Sequence, residues 1–124
     1  MSEAIRTEIF ASAAVSAAGN TAAFSLPTAS NLFVGIDVTV WATVGPIFYL
    51  QASDDGGTTW YWYPCDVTVN HLNSVGWQSA TIGVPTGGTG KYVMVARGFA
   101  ADRYRVQWTV ASGSATFSIS VVAK

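Results

Sequence analysis

Residues 91–124 alternate with a period of two almost without a break, and that pattern restricts what this chain can fold into. Tyr92, Met94 and Ala96 alternate with Lys91, Val93, Val95 and Arg97. Gly98 breaks the run, and Ala101-Asp102 supplies a polar turn. Tyr104, Val106, Trp108 and Val110 then alternate with Arg103, Arg105, Gln107 and Thr109, and Ser112-Gly113-Ser114 forms the next turn. Phe117, Ile119 and Val121 alternate with Thr116, Ser118 and Ser120. Successive side chains of a strand point to opposite faces, so one set of each run is buried and the other meets water or a partner. Turn residues sit where the period fails. The segment therefore reads as three consecutive strands joined by two short turns.

The same reading extends towards the N-terminus. Leu32, Val34, Ile36, Val38 and Val40 alternate cleanly, predicting a long strand over 31–41. Asp37 falls on its opposite face, which must be partly solvated or paired. Gly45-Pro46 is a turn, 47–52 a strand and 58–63 another, ended by Pro64, which cannot donate to a central ladder. Near the start, Ile5, Thr7, Ile9, Ala11, Ala13 and Val15 form one alternating set against Arg6, Glu8, Phe10, Ser12 and Ala14. With Gly19-Asn20 as a turn, 21–26 reads as the returning strand of a hairpin, and 27–30 is a loop. The stretch 66–90 is the least regular, with a short strand within 77–84 and an open loop over 85–90. The sum is about eight strands at short, regular spacing, predicting an all-β fold: an antiparallel β-sandwich, jelly-roll-like or Ig-like. Its 124 residues make one domain, 1–124, large enough to bury a core without disulfide or metal.

Charge narrows the partners. The net charge is −1 and charged residues are 10% of the chain, so no basic stripe exists to follow a phosphate backbone and nucleic acid is not an expected partner. Half of the residues are hydrophobic and 13% aromatic, leaving too few charges to cover the surface and predicting an exposed apolar patch for assembly or ligand contact. The uncharged stretch 9–36 is interrupted by Ser, Thr, Asn, Gly and Pro, so no membrane span is expected. Glu3 and Glu8 flank Arg6 with no clean apolar core behind them, which does not read as a secretory signal; synthesis in the cytoplasm is expected. The lone cysteine, Cys65, has no basic neighbour in sequence to lower its pKa and reads as a small apolar filler.

Two motifs stand out. Ser53-Asp54-Asp55-Gly56-Gly57-Thr58-Thr59-Trp60 fits Ser-x-Asp-x-Gly-x-Thr-Trp, a pattern that resembles the Asp-box loops of sialidase propellers and related carbohydrate-active proteins. Its physics is local: the aspartate accepts bonds from turn amides, glycine supplies positive φ, and the tryptophan packs beneath. A propeller repeats the motif over several blades, whereas this chain has one copy. A hairpin staple is the expected role, with a calcium or sugar site as the alternative. Trp60-Tyr61-Trp62-Tyr63 follows, with the indoles predicted on the buried face and the tyrosines on the rim. This run is a core strand, a subunit interface or an aromatic platform for sugars.

Nothing comparable points to catalysis. His71 lies near Asp66 and Ser74, but no Gly-x-Ser-x-Gly elbow occurs and a loop histidine without chemistry is expected. Glu3, Glu8, Asp37, Asp54, Asp55, Asp66 and Asp102 are scattered, forming neither an acid/base pair nor a metal-ligand spacing. Arg103 and Arg105 share one face of their strand, either solvated or as anchors for a neighbour's carboxylates.

Taken in order, several blocks resemble a family of small virion accessory proteins of tailed bacteriophages. They are Ile9-Phe10-Ala11-Ser12-Ala13-Ala14, Gly19-Asn20-Thr21, Phe24-Ser25-Leu26-Pro27, residues 53–60, Gly90-Lys91-Tyr92-Val93, Tyr104-Arg105-Val106-Gln107-Trp108-Thr109-Val110 and Phe117-Ser118-Ile119-Ser120-Val121-Val122. The stretch 66–83 has no counterpart. The resemblance implies a β-sandwich structural protein of the virion, with no catalysis and no cofactor. A capsid decoration, or cement, protein is the first expectation: a homo-oligomer, with a trimer favoured, bound to the major capsid protein lattice. A tail or fibre component is the alternative, binding host carbohydrate through Tyr61 and Tyr63. Expected interface residues are Ile5, Ile9, Phe10, Trp60, Tyr61, Tyr63, Arg103 and Arg105, together with the 85–90 loop. Catalytic, cofactor and metal residues are not expected.

Overall fold

The computed structural model describes residues 6–25, 31–70, 76–81, 84–85, 88–97 and 101–123. Within them run β1 (Arg6–Val15), β2 (Gly19–Asn20), β3 (Asn31–Val40), β4 (Ile47–Ser53), β5 (Tyr61–Trp62), β6 (Cys65–Asn70), β7 (Gly76–Thr81), β8 (Val84–Pro85), β9 (Gly90–Arg97), β10 (Arg103–Thr109) and β11 (Ala115–Ala123). Eight of these have six residues or more, while β2, β5 and β8 have two each. One sheet has the order β1-β11-β3-β9-β6-β7, the other β2-β10-β4-β5, with β8 also paired to β4. Every pairing is antiparallel. The chain is thus an all-β sandwich, as the alternation predicts.

The alternating sets are the core. Leu32, Val34, Ile36 and Val38 of β3, Tyr92, Met94 and Ala96 of β9, and Phe117, Ile119 and Val121 of β11 face inward from the six-stranded sheet. Phe48, Leu50 and Ala52 of β4 meet them from the other sheet, with Tyr104, Val106 and Trp108 of β10. Burying each large apolar side chain contributes roughly 1.5–3 kcal/mol. An aromatic cluster joins the sheets: Phe117 meets Phe48 edge-on at 4.8 Å, Trp108 at 5.2 Å and Phe10 at 5.3 Å. Asp37 is paired, its carboxylate 3.1 Å from Lys91 Nζ on the outer face.

Five readings need correction. First, 5–15 and 21–26 do not form a hairpin. β1 pairs with β11, whereas the chain after it crosses to the other sheet, where Gly19 and Asn20 pair with Trp108 and Gln107. A side chain at Gly19 would place its Cβ 3.0 Å from the Trp108 indole, so glycine serves close packing there rather than a turn. Thr21 and Phe24 then complete the free edge of β10. Thr21 N donates to Val106 O (2.9 Å), Val106 N donates to Thr21 Oγ1 (3.1 Å), and Phe24 and Tyr104 exchange two backbone bonds of 2.8 Å. Second, register shifts in β1 between Glu8 and Phe10 and between Phe10 and Ala13 break the strict alternation. Ile9 and Phe10 therefore both pack against the core. Third, Val40 leaves the inward row and is 52% exposed, because the β11 register shifts between Thr116 and Phe117. Fourth, β6 lies inside the sheet between β9 and β7, with Cys65 and Val67 buried, in what the sequence presents as an irregular stretch. Fifth, the strand predicted at 58–63 shrinks to Tyr61–Trp62.

Candidate functional site

The Asp-box loop leaves the end of β4 and returns as β5. Ser53 is fully buried; its hydroxyl donates to Asp55 Oδ1 (2.7 Å) and accepts from Gly57 N (2.9 Å). Asp55 Oδ1 also accepts from Thr58 N (3.0 Å) and Thr59 N (2.8 Å). Gly56 and Gly57 take φ of 75° and 98°, the left-handed region that glycine enters without strain. Trp60 Nε1 donates to Gly57 O (3.1 Å). The bond from the Thr59 amide, then those from Ser53 and the Thr59 side chain, hold the Asp55 carboxyl down at about 2. The motif is a local staple, and its main effect is to set the position of Trp60.

Trp60 in turn covers Arg105. The guanidinium carbon lies 4.2 Å from the indole centroid, and Nε donates to Gln51 Oε1 (2.7 Å). Desolvation lowers the Arg105 pKa, and no carboxylate among the described residues forms an ion pair with it. Arg103 donates to the Asp102 carbonyl oxygen (3.0 Å).

Strand pairing places these groups in a row. Arg105 of β10 lies opposite Gln51 of β4, and Gln51 lies opposite Trp62 of β5. Gln107 lies opposite Tyr49. Trp62 is 55% exposed yet fixed: it stacks on Tyr49 with ring centroids 5.3 Å apart at 15°, and its Nε1 donates to Gln107 Oε1 (3.3 Å). The outer face of the five-stranded sheet is thus an indole platform beside an arginine. A groove on the opposite outer face is lined by Phe33, Gly35, Val93 and Val122 and bounded by Arg6 and the Lys91–Asp37 pair.

The predicted interface residues divide. Trp60 and Arg105 come together, with Arg103 two residues along the same strand. Tyr61 is 59% exposed but pairs opposite Ala52, away from the platform row. Tyr63 packs edge-on against Tyr104 at 6.2 Å as part of the core's margin, so of the two tyrosines predicted on the rim Tyr61 is exposed and Tyr63 is not. Of the two indoles predicted on the buried face, Trp60 is half-buried and Trp62 is exposed. Ile9 and Phe10 are drawn into packing with the core, which removes Phe10 from any outer surface centred on β1. Ile5, His71, Ser74 and residues 86–87 of the 85–90 loop lie outside the described residues. Among the described residues no three His, Cys, Asp or Glu side chains are grouped to hold a metal, and no helix is long and apolar enough to cross a membrane. Tyr49, Gln51 and Gln107 are the members sequence reading missed as site residues. Their signal was the polar half of each alternating run, Tyr49 and Gln51 between Phe48, Leu50 and Ala52, and Gln107 between Val106 and Trp108.

Fold and site together define a two-sheet antiparallel β-sandwich that carries an aromatic, arginine-containing outer face. No family model and no curated protein sequence matches the chain. The fold is similar to that of the SPBc2 prophage-derived protein YomS, known from a crystal structure: the TM-score is 0.57 over 99% of this chain and 97% of that one, at 13% identity.

Proposed function

We propose that this chain is a bacteriophage virion structural protein, a capsid decoration protein that binds the assembled head and stabilises it without catalytic chemistry. The observation that carries the reading is the end-to-end fold likeness to a prophage-derived protein, which agrees in kind with the ordered block resemblance to tailed-phage virion proteins. Exposed aromatic residues on a low-charge surface suit lasting contacts. A ligand of the mature lattice alone stabilises it by mass action, by about 2.7 kcal/mol at a hundred times its Kd. A tail or fibre position is the second reading, favoured by the exposed, fixed Trp62.

Gold-labelled antibody against the protein, applied to purified virions from the genome that encodes it, tests both. Label on the head supports decoration, and label on the tail transfers the protein there. Absence of its peptides from the purified particles by mass spectrometry refutes the virion assignment. Light scattering of the free protein is expected to show a trimer under the decoration reading.

A further inference from the structure

We propose that the outer face of the five-stranded sheet, centred on Trp62 and Arg105, binds a carboxylate-bearing pyranose within an acidic glycan. The platform is ordered in advance. Trp62 keeps more than half of its surface in water while Tyr49 stacking and the Gln107 bond hold its ring in one plane. Arg105 is equally fixed, with Nε bound to Gln51 and the guanidinium over Trp60. Fixing both groups before binding removes ordering costs that a ligand would otherwise meet.

The polarity of the face selects the class of ligand. The amide oxygens of Gln51 and Gln107 accept bonds from Arg105 and Trp62, which leaves the NH2 of the half-buried Gln107 as a donor beside the indole, while Gln51 is buried beneath the row. Arg105 has no carboxylate partner among the described residues, and its terminal nitrogens form a planar donor fork. In the adjoining loop, Asp55 Oδ1 is occupied by Ser53, Thr58 and Thr59. A sugar hydroxyl both donates and accepts, so the neutral part of any sugar suits this face, and the guanidinium fork without a carboxylate is what separates the classes. An acidic sugar supplies the acceptors: its carboxylate meets the fork in bidentate fashion, and its C–H face lies on the indole. From β10 to β5 across β4 is about 10 Å at ordinary strand spacing, a length that a di- or trisaccharide covers. The assignment is independent of where on a virion the protein sits.

The test titrates the intact protein, by calorimetry and tryptophan fluorescence, with oligosaccharides containing glucuronic, galacturonic or sialic acid, and with the carboxyl-reduced form of each. At least one acidic oligosaccharide is expected to bind, with its reduced form about tenfold weaker or worse, a difference of about 1.4 kcal/mol. Trp62→Ala and Arg105→Lys are each expected to weaken binding by a similar factor of about ten, whereas Tyr61→Ala leaves it unchanged. Thermal melts establish that each variant is folded; should Trp62→Ala fail to fold, Trp62→Leu replaces it. Binding of no acidic oligosaccharide overturns the proposal. So does equal affinity for acidic and reduced forms, or binding that survives both substitutions. Binding of polyglutamate alone, with loss in the same two variants, also overturns it and assigns the face to an acidic protein partner.

Discussion

Phe117→Ala probes the contact that ties the two sheets together. The side chain is fully buried and touches Phe48 and Trp108 edge-on, at 4.8 and 5.2 Å, from the opposite sheet. Phe10, at 5.3 Å, closes the third side. Burial of the ring contributes roughly 1.5–3 kcal/mol, and each well-oriented aromatic pair about 0.5–1.5 kcal/mol more. Two edge-on pairs with the transfer term give roughly 2.5–6 kcal/mol, overlapping the usual range of about 3–5 kcal/mol for removing a buried phenylalanine. A loss of about 4 kcal/mol is a large part of the roughly 5–15 kcal/mol available to a domain of this kind. At about 2.1 cal/mol/K per residue, 124 residues melt with about 0.26 kcal/mol/K, so Tm should fall by roughly 15 °C. Urea unfolding followed by tryptophan fluorescence, extrapolated linearly to water, measures the loss directly. A change below about 1 kcal/mol at unchanged m value would refute the claim that this ring spans the interface between the sheets.

Two predictions concern ionisable groups. Asp55 is held at about 2 against an ordinary 3.8, so its loop bonds stabilise the fold fully above pH 4 and lose that effect as the pH falls through 2. The Tm gap between wild type and Asp55→Asn should therefore narrow on acidification across that window; a gap that stays constant would show that the charge of Asp55 does not contribute. The Cys65 thiol is pushed up to about 12, first by burial and then by the neighbouring Asp66 charge. Iodoacetamide at pH 8 should leave the folded protein unlabelled and modify it once in denaturant; labelling of the native protein at the denatured rate would contradict this burial.

Much of the site was within reach of sequence reasoning as separate parts. The Asp-box behaves as its residues dictate, because the side-chain bonds that shape it span at most four residues of chain, among Ser53, Asp55, Gly57 and Trp60. The platform was not legible, because it is assembled across three strands. Whether Trp62 or Tyr63 faces water depends on which of its neighbours continues the ladder, and Tyr63 does, donating its amide to Leu50 O at 2.8 Å and turning to Tyr104. The short run 65–70 was missed although Cys65, Val67 and Val69 alternate with Asp66, Thr68 and Asn70, and its central place between β9 and β7 makes Cys65 and Val67 core.

From the sequence alone came the all-β class, the inward sets of β3, β9, β10 and β11, an Asp37 that is either solvated or paired, and the stapled loop. All of these follow from periodicity or from bonds between near neighbours in the chain. The tertiary structure decided which strand lies beside which. β9, β10 and β11 look like a meander, yet no two of them pair: β9 and β11 flank β3 in one sheet, while β10 lies between β2 and β4 in the other. Alternation specifies that a strand has a buried face and is silent on the sheet that supplies its ladder. Either arrangement buries the same side chains, and only packing between the two sheets, with Phe117 set against Phe48 and Trp108, distinguishes them. The aromatic and arginine-bearing face exists because β10, β4 and β5 were brought side by side in that way.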